Sequence, residues 1–139
     1  MIIGIGSDLV DIRRIEKTLV RFGERFEQRF FTAEEQAKAR RRSAGIQRNN
    51  TASTYAKRFA AKEACAKALG TSFRSGVSYK NIAVVNLDSN KPSIVLSGGA
   101  QVQLYAMLAA GQQPTIHLTM TDEYPLAQAF VVIEALRAE

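Results

Sequence analysis

The spacing of apolar residues changes along this chain, and that change sets its fold class. Near the start, Leu9, Ile12, Ile15, Leu19 and Phe22 recur at steps of three and four. That is one face of an amphipathic helix, with Arg13, Arg14, Glu16, Lys17 and Arg21 on the other face and Gly23 as its stop. Near the end, Thr115–Thr121 alternates polar and apolar residues, Asp122–Pro125 turns, and Ala127–Ala135 carries the almost unbroken apolar run Phe130–Ile133. A period of two predicts a strand, and a continuous run predicts a buried one. Between these ends, Thr32-Ala33-Glu34-Glu35 is a capping box that opens a helix reaching about Arg42.

The longest predicted helix is Tyr55–Leu69, rich in Ala and Lys, capped by Ser53 or Thr54 and stopped by Gly70. Ile82–Leu87 and Ser93–Ser97 form a hairpin around Asp88-Ser89-Asn90-Lys91-Pro92, and Gly98-Gly99 leads into a helix from Ala100 to Ala110. Ile2–Gly6 reads as a short buried strand closed by glycines, Phe26, Phe30 and Phe31 as a short helical turn, and Ser43–Thr51 as a polar loop. The order is α+β, with helices packed on a mainly antiparallel sheet and the late strands paired antiparallel. A length of 139 residues suits one domain, 1–139.

Composition narrows the functional classes. Nineteen Lys+Arg against 13 Asp+Glu leave a formal charge of +6, which argues for an anionic partner: nucleic acid, a phosphorylated ligand or an acidic protein. Cys65 stands alone, so an intramolecular disulfide is excluded, and its Ala-rich helical context suits a packed small residue. Met1-Ile2-Ile3-Gly4 has no basic leader region, and no apolar run is long enough to span a membrane, so the expected compartment is the cytoplasm. Walker, paired-cysteine zinc, dinucleotide and Ser/His/Asp patterns are absent. Aromatic residues do not interleave with the tribasic run Arg40-Arg41-Arg42, which speaks against nucleic acid.

Four groups of residues could carry chemistry, each with a plainer reading beside it. Asp8 lies between a predicted strand and a predicted helix; it is either a helix cap or a hard-metal ligand at a strand end. Glu63 and Lys67 are spaced i,i+4, which suits a solvent-side ion pair, or a metal-binding carboxylate one turn from a phosphate-binding ammonium. His117 shares a strand face with Thr119 and Thr121, as a structural histidine or as part of a polar ladder facing a ligand. Arg13, Arg14, Arg21, Arg25 and Arg29 make a solvated basic face, or a surface for an acidic protein or RNA. Taken alone, the residues describe a small basic α+β domain with the makings of a magnesium–phosphate site, and a basic adaptor without catalysis also fits.

Two segments carry a resemblance that reaches further. Gly4-Ile5-Gly6-Ser7-Asp8, with Arg14-Ile15 behind it, resembles the opening of the holo-acyl-carrier-protein synthases, the small trimeric phosphopantetheinyl transferases. Arg58-Phe59-Ala60-Ala61-Lys62-Glu63-Ala64, continued by Lys67-Ala68-Leu69-Gly70-Thr71, resembles their central helix, and Lys91-Pro92 and His117-Leu118-Thr119 fall where that family has them. The resemblance implies a 4′-phosphopantetheinyl transferase-like fold. It also implies transfer of 4′-phosphopantetheine from coenzyme A to a serine of apo-acyl carrier protein, with release of adenosine 3′,5′-bisphosphate, in support of fatty acid biosynthesis.

By motif position, Asp8 and Glu63 would hold Mg2+ and Lys67 would steady the phosphates. Glu63, or water on the metal, would take the serine proton. Arg58 would meet the 3′-phosphate of coenzyme A, with Lys62 and Gly70 of the same motif close by. Lys91 and Pro92 would lie by the adenosine, and His117 with Thr119 would line the coenzyme A site. Arg14, Arg21 and Arg25 would meet the acidic helix of the carrier protein. The family is a homotrimer with active sites between subunits. Two departures stand out: Ser72 where the family has Gly, expected to alter the loop after the helix, and Tyr79 where it has Trp.

Overall fold

The computed structural model describes residues 1–43, 49–73 and 76–138, without the side chains of residues 42, 43, 49 and 50. Its elements run β1 (Ile2–Asp11), α1 (Ile12–Phe22), α2 (Glu24–Phe30), α3 (Ala33–Ser43), α4 (Asn49–Leu69), a 3₁₀ turn (Tyr79–Asn81), β2 (Ile82–Asn86), β3 (Pro92–Leu96), α5 (Gly98–Ala106), β4 (Gln112–Glu123) and β5 (Leu126–Arg137). β1, β5 and β4 form an antiparallel sheet in that order, and β2 and β3 form the expected hairpin. The fold is α+β, with helices on antiparallel sheets.

The sheet has one covered face and one open face, as a period of two requires. On β5, Ala127, Ala129, Val131, Ile133 and Ala135 are buried, and α4 packs over this side. On β1, Gly4 and Gly6 point at α4, and a Cβ on either would run into a helix carbonyl, that of Ala68 or of Ala64. Glycines on the strand and alanines on the helix therefore let two backbones approach closely, and the strand does not end at them. α4 is buried on nearly all sides, with Tyr55, Ala56, Ala60, Ala61, Ala64 and Cys65 fully enclosed.

Several expected boundaries move. β1 continues to Asp11 because β5 offers partners as far as Leu126, so Leu9 is a strand residue and Asp8 caps no helix. The cap of α1 is Asp11, which accepts from the Arg13 amide at 3.0 Å and forms an ion pair with the Arg13 guanidinium at 2.7 Å. That hydrogen-bonded guanidinium holds the Asp11 carboxyl down at about 2. α4 begins at Asn49, so Ser53 and Thr54 lie inside it. The buried side chains of Ala52, Tyr55 and Ala56 carry the helix past the expected cap. Of the loop expected over Ser43–Thr51, Ser43 belongs to α3 and Asn49–Thr51 to α4, and residues 44–48 lie outside the described residues. α5 ends at Ala106, short of Ala110.

The capping box forms as expected. Thr32 donates its amide to Glu35 Oε1 at 2.7 Å, and the Glu35 amide donates to Thr32 Oγ1 at 3.2 Å. Glu35 also accepts the Val84 amide of β2 at 2.9 Å and pairs with the Lys62 ammonium at 2.9 Å. Lys62 has no exposed surface; its ammonium further donates to the carbonyls of Tyr79 at 2.9 Å and Ile82 at 2.7 Å. A buried charge is tolerated only when paired and fully bonded. Burial lowers the Lys62 pKa, and the Glu35 carboxylate works against that shift. This pin ties α3, α4 and the hairpin together.

Candidate active site

A cavity of about 620 Å³ opens between β1, α1, α2 and α4, and Asp8 and Glu63 both face it. Asp8 reaches it because strand alternation puts it on the same side as Gly6 and Val10, toward α4. Glu63 reaches it from the middle of α4, one turn after Phe59, which also lines the wall. Arg14 of α1 and Arg25 and Arg29 of α2 surround the same space, with Phe26 and Phe30 below them. The two carboxylates thus share a cleft whose rim is basic, an arrangement suited to a ligand that is itself anionic.

Each carboxylate is held by a separate donor. Lys67 donates to Asp8 Oδ1 at 3.1 Å and to the Ser7 carbonyl at 2.9 Å. Lys67 therefore turns across to β1, whereas Glu63 accepts the Tyr79 hydroxyl at 2.8 Å through Oε1. The i,i+4 spacing of Glu63 and Lys67 serves two different partners. Burial, reinforced by the Glu63 carboxylate, pushes the Tyr79 phenol well above its ordinary range, so it stays an O–H donor.

The donor set fits a hard divalent cation. Two carboxylates from different elements face one cavity, and among the described residues no cluster of three or more His, Cys, Asp or Glu could hold an ion alone. Magnesium is commonly held by one or two protein carboxylates, with substrate phosphates and waters completing its shell. When bound, such an ion would neutralise phosphate charge.

The remaining expected residues lie elsewhere. Lys62, as part of the buried pin, has no surface to offer a ligand. Arg58 is buried, donates to the Thr54 carbonyl at 3.2 Å, and faces a second cavity of about 340 Å³ beside Lys38, Arg41, Asn86 and Asn90. Lys91 ends the β2–β3 connection and Pro92 opens β3 opposite Asn86, at the turn end of the hairpin. Gly70 ends α4 with φ at +69°, and the Thr71 amide returns to the Ala66 carbonyl at 3.1 Å, a left-handed terminus that glycine adopts without strain. His117 and Thr119 face outward on β4, where His117 Nε2 lies 3.1 Å from Glu134 Oε1. Arg21 is exposed, its guanidinium 5.0 Å from the Phe22 ring centre. Ser72 does not occupy a positive-φ position; among described non-glycine residues Asn90 does, at φ 64°.

The sequence brought out Arg29 only as part of the basic face, Phe59 only through its motif and Tyr79 only as a departure, and did not bring out Phe30 as a wall of the cavity. Phe59 could have been found from its spacing to Glu63. Tyr79 could not, since it arrives from a separate turn.

Comparison with known proteins gives the family. Residues 4–129 match the family model of the 4′-phosphopantetheinyl transferase superfamily, and the chain belongs to that superfamily. Curated relatives named holo-[acyl-carrier-protein] synthase include one from Rhizobium leguminosarum bv. trifolii, 61% identical over 98% of this chain and 97% of its own, and one from Agrobacterium fabrum, 60% identical over the same shares. Within the superfamily the chain therefore sits among the holo-[acyl-carrier-protein] synthases, and it is an enzyme, a phosphopantetheinyl transferase. Among solved structures, the synthase of Neisseria meningitidis matches with a TM-score of 0.77 and 36% identity over 96% of this chain and 99% of that one. The Helicobacter pylori synthase in complex with coenzyme A matches with a TM-score of 0.75 and 29% identity over 94% and 99%. Among the described residues no helix is long and apolar enough to cross a membrane.

Proposed function

We propose that the chain moves 4′-phosphopantetheine from coenzyme A to a serine hydroxyl of apo-acyl carrier protein in a Mg2+-dependent reaction that supports fatty acid biosynthesis. The observation that carries this is the meeting of Asp8, Glu63 and the Arg14–Arg25–Arg29 rim at one cavity, with Lys67 bonded to Asp8. In the reaction the serine oxygen bonds to the β-phosphorus, the bond from that phosphorus to the bridging oxygen breaks, and adenosine 3′,5′-bisphosphate leaves. Asp8 and Glu63 would hold a divalent cation, which would offset phosphate charge. Lys67 would add positive charge beside the phosphates, and Glu63, or water on the metal, would take the serine proton. Such transfer relies mainly on positioning and charge stabilisation.

Arg14 and Arg25 at the rim suit the acidic helix of a carrier protein, and charge complementarity of this kind raises association rates. Arg21 extends the basic face of α1.

The open face of the sheet supports the homotrimer. Ile5, Leu9 and Phe130 are 69%, 60% and 50% exposed on one sheet face, next to His117 and Thr119. A contiguous apolar face of this kind asks for a partner. In a trimer it would be covered, and His117 and Thr119 would reach a neighbouring copy's coenzyme A. Sedimentation of the chain should return three chain masses; a monomer would contradict this assembly.

The function is tested by Asp8→Ala and Glu63→Ala, followed by release of adenosine 3′,5′-bisphosphate. Both should lose transfer while keeping the helical circular dichroism of the parent. Full activity in both would sink the assignment.

A further inference from the structure

Tyr79 is anchored at both ends. Its carbonyl accepts the buried Lys62 ammonium at 2.9 Å. Its turn is closed by Asn81, whose Oδ1 accepts the Ser78 amide at 3.0 Å. Its ring lies flat on Phe73, with centres 3.7 Å apart and planes 10° apart, and parallel to Phe59 at 5.5 Å and 18°. Phe30 meets it edge-on at 4.6 Å. A ring so enclosed has little freedom about its side-chain bonds, so the hydroxyl points in one direction, at Glu63 Oε1, 2.8 Å away.

We propose that Tyr79 is a positioning residue, whose hydroxyl holds Glu63 Oε1 and turns the carboxylate so that Oε2 is presented to the divalent cation. The proposal rests on the metal-binding reading of Asp8 and Glu63 given above. Groups that orient a metal-binding carboxylate fix its rotamer before the ion arrives, and removing one weakens metal affinity by roughly 10–100-fold. A Glu side chain has three rotatable bonds, more than the Asp8 that Lys67 steadies from the other side, so it has more to gain from a fixed donor. The aromatic stack gives the hydroxyl its aim, and the Lys62 pin gives the stack its base.

The test is Tyr79→Phe, which keeps the ring and removes the hydroxyl. Mn2+ binding is measured by electron paramagnetic resonance in the presence of coenzyme A, alongside kcat, KM for the carrier protein and the half-saturating Mg2+ concentration. The expected result is a roughly tenfold or larger loss of Mn2+ affinity, a matching rise in half-saturating Mg2+, and a nearly unchanged KM for the carrier protein. Unchanged Mn2+ affinity in a folded variant overturns the proposal. Should the variant lose stability, Glu63→Gln and the double variant close a cycle. Non-additive effects on Mn2+ affinity support action through Glu63, and additive effects overturn it. Because Mn2+ binding is read without transfer, a wild-type protein that binds Mn2+ but modifies no carrier would refute the proposed reaction and leave the Tyr79 result standing.

Discussion

The Lys67 ammonium lies 3.1 Å from Asp8 Oδ1 and bridges the central helix to the first strand at the edge of the cavity. Lys67 is 55% exposed and Asp8 19%. An ion pair this open contributes little to stability, about 0–1 kcal/mol. In the proposed reaction its weight would fall on catalysis, where an ammonium beside the transferring phosphates would lower the barrier. Lys67→Met should therefore unfold within a few degrees of the parent and lose on the order of 10²-fold or more in kcat. Thermal unfolding and steady-state kinetics check both halves. A large loss of stability with kcat unchanged would contradict this role.

The contact of β1 with α4 makes a second prediction. A methyl group on Gly6 would meet the Ala64 carbonyl, backbone against backbone, and neither can step aside alone. Gly6→Ala should destabilise by at least the 1–3 kcal/mol typical of overpacking. Because Asp8 follows on the same strand face, transfer should fall as well. Urea unfolding at the parent's midpoint would contradict the packing account.

The buried pin predicts an asymmetry. Lys62→Met leaves Glu35 charged and enclosed, and Glu35→Gln does the same to Lys62. Removing one partner of such a pair costs about 3–5 kcal/mol. Removing both, Lys62→Met with Glu35→Gln, should cost clearly less than the sum, as for residues in one network. Chemical denaturation of the three variants reads this directly, and additive losses would refute the coupling.

Cys65 gives a pH dependence. Burial raises its thiol from 9.0 to about 12. A folded pKa above the unfolded one contributes stability that is fully present below about pH 9 and is lost as pH rises toward 12, because the unfolded chain ionises first. Native protein should resist thiol reagents at pH 8 and react once unfolded. The parent should also lose more stability than Cys65→Ala between pH 9 and 11. Rapid labelling of the native protein would show that the site is not enclosed.

Local rules carried the α+β class, the hairpin, the Thr32–Glu35 box and the alternation that puts His117 and Thr119 outward. They also brought Asp8, Glu63 and Lys67 forward as a set. Three things needed the third dimension. The glycines of β1 read as strand terminators because close approach to a helix leaves no periodic trace. Lys62 sits in a motif between Arg58 and Glu63, yet α4 is wrapped on nearly all sides, so neighbouring residues face different surroundings. Arg58 turns to one cavity, Glu63 to another, and Lys62 to neither. Tyr79 comes to Glu63 from a turn beyond the helix, and a pairing across that distance rests on tertiary packing alone.

The central claim is best tested by the intact mass of apo-acyl carrier protein after incubation with this chain, coenzyme A and magnesium, beside a control containing EDTA. The account predicts a gain the size of one phosphopantetheine group in the first sample and none in the control. No gain from folded protein with several carriers, or a gain that EDTA does not suppress, would contradict it.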